Sequence, residues 1–66
     1  MMIINGRSIS LAKPLSLSDL LKREGWLEDD RIAVELNGNI VRRSQWDSEI
    51  CNDGDSIEVV RFVGGG

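Results

Sequence analysis

Apolar residues fall on alternate positions at the start of the chain. If the backbone reverses at Asn5-Gly6, Ile4 pairs with Arg7 and Met2 with Ile9, which places Met2, Ile4, Ile9 and Leu11 on one face. Asn-Gly suits that reversal because both central residues of a type I′ turn need positive φ. Pro14 is expected to end the second strand. The period then changes. In Leu15-Ser16-Leu17-Ser18-Asp19-Leu20-Leu21, the leucines at 17, 20 and 21 share a helical face. Ser16 is placed to cap the helix, with Asp19 in the role of the reciprocal capping residue and Leu15 stapled onto Leu20. Lys22 and Arg23 favour its C-terminal end. Gly25 suits the position just past the end, with Trp26 folding back onto Leu21.

Strict alternation returns in Ile32-Ala33-Val34-Glu35-Leu36, with Ile32, Val34 and Leu36 inward. Asn37-Gly38 is a second turn, and Asn39-Ile40-Val41 a short return strand. Ser44-x-x-Asp47 repeats the cap pattern and predicts a single helical turn, with Trp46 and Ile50 on one side and Trp46 as a core plug. Asp53-Gly54-Asp55 is a third turn, and a last strand runs over 56–62. Hairpin, helix, strand pair, short turn and final strand make an α+β chain. One main helix packs on one face of a mixed four- to five-stranded sheet. With the last strand central beside the first, this is the β-grasp, or ubiquitin-like, arrangement. It is expected to occupy 1–63, followed by a flexible Gly-rich tail over 64–66.

Length and composition narrow the function. Sixty-six residues fit one domain with one thin core, since a chain of this size buries only about 60% of its unfolded surface. A net charge of −3 argues against nucleic acid as a partner. Arg42-Arg43 reads as a solvated loop, as does the acidic Glu28-Asp29-Asp30. No apolar run is long enough for a membrane span, and the first residues lack the pattern of a signal peptide. The single cysteine, Cys51, excludes an internal disulfide, suits a reducing cytoplasm, and reads as a small buried residue. The chain has no histidine, so it lacks the commonest general base and metal ligand. Asp53 and Asp55 alone do not make a calcium loop. The expectation is a non-enzyme with no catalytic residue, no metal site and no bound cofactor.

The last strand carries an anomaly. Ile57 and Val59 face the helix, so Glu58, Val60 and Phe62 point to a face that should be polar. Arg61 breaks the inward alternation, which predicts that the strand has left the sheet there. Two readings of Val60 and Phe62 are open: cover beneath a loop, or a patch that docks a partner. Gly64-Gly65-Gly66 follow. Glycine is the residue most expensive to order, so the tail is either a frayed or added terminus or a segment that must enter a narrow channel. Extended at ~3.4 Å per residue, residues 63–66 reach ~13 Å. Such a tail carries a carboxylate, ionised at neutral pH, into a partner's active site.

These stretches resemble the ThiS family of sulfur carriers in thiamin biosynthesis over essentially all of the chain. The resemblance rests on "NG" after the first strand, "LSLSDLLK", "VELNGNIV", "RRSQW" and "NDGDSIEVVRFVGGG". Many members have proline where this chain has Arg42, and a residue other than glycine where it has Gly64. Neither departure touches the chemistry. The resemblance implies a carrier whose Gly66 carboxylate is adenylated by a ThiF-type enzyme using ATP and Mg. A sulfur donor protein then converts it to a thiocarboxylate for thiazole synthase. Gly64 and Gly65 thread the partner's channel, and Val60 and Phe62 dock. The alternatives are the small subunit of molybdopterin synthase, which is usually longer, a protein conjugator, and a plain β-grasp interaction module.

Overall fold

The computed structural model describes residues 1–62. Its elements in chain order are β1 (Met2–Ile4), β2 (Arg7–Ile9), β3 (Leu15–Ser16), α1 (Leu17–Arg23), β4 (Ile32–Leu36) and β5 (Asn39–Val41). A 3-10 turn over Arg43–Gln45 follows, then β6 (Ile50–Cys51) and β7 (Ser56–Arg61). The main sheet has five strands in the order β2-β1-β7-β4-β5. β7 is central, parallel to β1 and antiparallel to β4. This is the mixed β-grasp sheet, with the last strand beside the first.

Both Asn-Gly turns adopt the expected geometry. Asn5 and Gly6 sit at φ 50 and 81, Asn37 and Gly38 at φ 52 and 86. The first fixes Met2 opposite Ile9 and Ile4 opposite Arg7, and the second sets Leu36 opposite Asn39. Met2, Ile4, Val34, Ile57 and Val59 thereby meet Leu17, Leu20 and Leu21 of α1 in one buried core.

The ends of α1 explain how so short a helix holds. Ser16 Oγ accepts from the Asp19 amide at 3.0 Å. The amides of Leu17 and Ser18 donate to the carbonyls of Glu49 (2.7 Å) and Trp46 (3.0 Å). Three first-turn donors, which a helix cannot satisfy by itself, therefore find partners. At the other end the Trp26 amide reaches Leu21 O (2.8 Å) and the Gly25 amide reaches Lys22 O (3.2 Å). That is a Schellman ending, with Gly25 at φ 86.

Several local expectations need correction. The second strand stops at Ile9, and Leu15-Ser16 is a separate strand that pairs with Ile50-Cys51. The 3-10 turn begins with Arg42 at its cap, two residues before Ser44, and Gln45 Oε1 accepts from the Arg42 amide at 3.3 Å. Trp46 is the expected plug: it is buried and donates its indole N–H to Val41 O at 2.9 Å. Ile50 does not share its side. The chain leaves the turn to become β6, whose alternation turns Cys51 inward and leaves Ile50 exposed. Arg61 has not left the sheet, since it pairs with Ile32, and the Phe62 amide continues the pattern by donating to Arg31 O at 2.9 Å.

Candidate functional site

The face of the main sheet turned away from α1 carries the residues singled out on the last strand. Ile57 and Val59 are buried, so alternation sends Glu58 and Val60 outward. Val60 is 51% exposed and Phe62 54% exposed, which removes the reading that a loop covers them. Val60 lies opposite Ala33 of β4. Ile40 of β5 is also exposed, opposite Glu35. Glu35 in turn lies opposite Glu58. The open face is thus an apolar strip beside two facing carboxylates, an arrangement that like-charge repulsion makes slightly unfavourable in the isolated chain. Gly64, Gly65 and Gly66 lie outside the described residues.

The backbone beneath this face is fixed by two asparagine side chains. Parallel pairing of β1 with β7 runs through Ile3 N to Asp55 O (3.0 Å) and Asn5 N to Ile57 O (2.9 Å). The next bond in such a ladder runs from the Val59 amide to the carbonyl of residue 5. The turn at Asn5-Gly6 ends the strand there, and Asn5 Oδ1 accepts from the Val59 amide instead, at 2.7 Å. Asn37 does related work at the start of β7. Its Oδ1 accepts from the Ser56 amide (2.9 Å) and its Nδ2 donates to Asp55 Oδ1 (3.0 Å). The other Asp55 oxygen accepts from the Asn52 amide at 2.7 Å, so this carboxylate builds the turn around Gly54.

At the far end of β7, the loop after α1 is no mere solvated connection. Arg61 Nε donates to Asp29 Oδ2 at 2.7 Å, and its Nη2 lies 2.7 Å from the same oxygen. Asp29 Oδ1 accepts from the Arg31 amide at 2.9 Å. That backbone bond foremost, with the Arg61 charge, holds the Asp29 carboxyl below its ordinary value, against partial desolvation that pulls it up. Arg43 also departs from the solvated reading. Its guanidinium lies 4.3 Å from the centre of the Trp46 ring and its Nη2 donates to Asp29 O at 2.6 Å. The bonds from Arg61 and Arg43 to Asp29 were not legible in the charge pattern, because the partners are 32 and 14 residues apart.

Cys51 is fully buried, and burial pushes its thiol up to about 11. At neutral pH it is a protonated core residue with no nucleophilic character. Among the described residues the site is therefore an exposed apolar strip, and the buried Cys51 thiol is not part of it.

The model of the ThiS family matches residues 2–66. The chain is 34% identical over 67 residues to the sulfur carrier protein ThiS of Bacillus subtilis, covering 100% of both chains. It is 35% identical over 65 residues to a thiazole synthase of Paramagnetospirillum magneticum; the match takes in 98% of this chain but only 20% of that relative. The crystal structure of a thiamine biosynthesis protein (ThiS) from Geobacter metallireducens superposes with a TM-score of 0.83 at 31% identity, covering 98% of this chain and 97% of that one.

Proposed function

The chain belongs to the ThiS family, sulfur carriers of thiamine biosynthesis rather than enzymes, and from that premise we propose that its Gly66 carboxylate is the atom group that carries the sulfur. A ThiF-type adenylating enzyme, using ATP and Mg, converts this carboxylate to an acyl-adenylate. Adenylate is a far better leaving group than oxide, so the terminal sulfur of a donor protein's persulfide attacks the acyl carbon, expels AMP and forms an acyl disulfide. A second thiol then attacks the donor-side sulfur, which leaves a disulfide on the donor and releases the C-terminal thiocarboxylate. Thiazole synthase is the proposed acceptor. The thiazole synthase in which one segment resembles this whole chain supports that assignment.

The observation that carries the reading is the exposed pair formed by Val60 on the last strand and Phe62 just past its end, two residues ahead of Gly64-Gly65-Gly66. Apolar side chains on an open sheet face hold a partner by burial. Glycines lack the Cβ that a narrow channel excludes, so Gly64 and Gly65 can thread while Val60 and Phe62 dock. The chain's own residues supply binding and reach, and the partner supplies the activated phosphate. Cys51, buried and protonated, is left out of the sulfur path.

Intact-mass measurement tests this. Incubated with ATP, Mg, the adenylating enzyme and a sulfur source, the chain should gain the mass of sulfur for oxygen at its terminus. Removal of Gly65-Gly66 should abolish the gain while the fold persists, and Cys51→Ser should retain it. Sulfur loading of the truncated chain would place the sulfur elsewhere.

A further inference from the structure

Arg61 occupies an inward position of β7, where the core has already ended. Its side chain is 63% exposed and reaches the loop that follows α1. The contacts close a ring. Arg61 grips Asp29 Oδ2 through two nitrogens at 2.7 Å, and Asp29 Oδ1 holds the Arg31 amide at 2.9 Å. Arg31 O accepts from the Phe62 amide at 2.9 Å, and Phe62 follows Arg61 in the chain. The ring is itself anchored. Arg43 donates to Asp29 O at 2.6 Å, and the Arg61 guanidinium lies 5.8 Å from the ring centre of Trp26 at the end of α1.

We propose that the Asp29–Arg61 pair is a positioning clamp that fixes where, and in which direction, the chain leaves the fold after Phe62. This rests on the carrier reading above. Four residues follow Phe62, three of them glycine. Glycine backbone samples more conformations than any other, so the direction such a segment takes is most readily set at its root. A swing at its root is carried over a reach of ~13 Å, and misplacement of a reacting group by about 1 Å can lower a rate by about 100-fold. The clamp removes the swing at the root. It also keeps Phe62 in register with Arg31, and so keeps the docking pair Val60 and Phe62 at a fixed distance from the exit. Asp29 and Arg61 are positioning residues: they touch neither the sulfur nor the nucleotide.

The test pairs hydrogen exchange with loading kinetics on the full chain, using Asp29→Asn and Arg61→Gln. Exchange of the Phe62 amide should quicken by at least about tenfold, while the Ile57 and Val59 amides, which report the core, keep their parent rates. In sulfur loading by the adenylating enzyme, kcat should fall by roughly 10- to 100-fold with KM for the carrier within about twofold, because the docking side chains are intact. Unchanged Phe62 exchange in both variants overturns the clamp. So does faster exchange with an unaltered kcat, or a raised KM with kcat preserved, which would make the pair part of the docking surface. Failure of the parent chain to load sulfur would refute the carrier chemistry, and the exchange rates would still decide whether the pair holds the exit.

Discussion

Asn5→Gly should destabilise the fold more than Asn37→Gly, although Asn37 makes more side-chain hydrogen bonds to β7 and its turn. The two sites share their turn geometry. Each is the first residue of an Asn-Gly turn with positive φ, at 50 and 52. Glycine accepts that conformation without strain, and its entropic effect on the unfolded chain is the same at both sites, so these contributions cancel in the comparison. What remains is the fate of the orphaned donor. Asn5 Oδ1 serves the amide of Val59, a residue only 7% exposed. Leaving a buried donor unpaired costs about 1–3 kcal/mol. Asn37 serves the amide of exposed Ser56 and the carboxylate of Asp55, where water replaces the lost partners and the cost stays within about 0.5 kcal/mol, as is usual for exposed sites. The expected difference is about 1–2 kcal/mol. Urea unfolding followed by the fluorescence of buried Trp46 reads it directly. With a slope of about 1 kcal/mol per M for a domain this small, the two midpoints should separate by about 1–2 M, Asn5→Gly being the lower. Equal midpoints, or a lower midpoint for Asn37→Gly, would show that bond number outweighs burial here and defeat the reasoning.

Other outcomes follow from the same geometry. Because burial raises the Cys51 thiol from 9.0 to about 11, its thiolate fraction near neutrality is about 100-fold lower than in the unfolded chain. Alkylation of native protein should be slower by at least that factor, and a rate equal to that of the denatured protein would contradict the packing. The same shift makes the unfolded state lose its proton first, so stability should decline as pH rises above 9.0 in the parent chain but not in Cys51→Ser. Asp29 has the opposite sign. Its folded value lies below 3.8, so its stabilising charge is complete above that pH and withdrawn as the pH falls further. Carboxyl NMR should give a titration midpoint under 3.8, and a midpoint at or above it would deny the Arg31 and Arg61 contacts. Val60→Asp and Phe62→Ser should each weaken binding to the adenylating enzyme by at least about tenfold, as loss of a central apolar anchor does. Thermal midpoints should barely move, since both side chains are exposed; a large drop in midpoint would mean that they support the fold instead.

Much of this molecule was written in local pattern. Alternation in β4, the helical spacing of Leu17, Leu20 and Leu21, and the two Asn-Gly turns each depend on neighbours within a few residues. Their short-range stereochemistry has few solutions, so inward and outward faces, the hairpin registers and the Schellman ending at Gly25 could be stated beforehand. The anomaly of Val60 and Phe62 was legible for the same reason: a broken alternation is visible without knowing what lies opposite.

Tertiary structure decided the rest. Arg61 reads as the point where the strand departs, because an arginine at an inward position has no local justification. Only the fold brings Asp29 beside it and turns the departure into an anchored end. Asn5 reads as a turn former, and only parallel pairing of β1 with β7 makes its side chain the acceptor for an amide 54 residues away. Ser44 reads as a cap, yet the turn starts at Arg42, since the position of Trp46 in the core and its bond to Val41 O fix where the chain must bend. In each case the sequence determined which groups could bond, and the packing of distant segments determined which did. Polar side chains satisfy whatever partner the fold places within reach, and that choice carries no periodic signature along the chain.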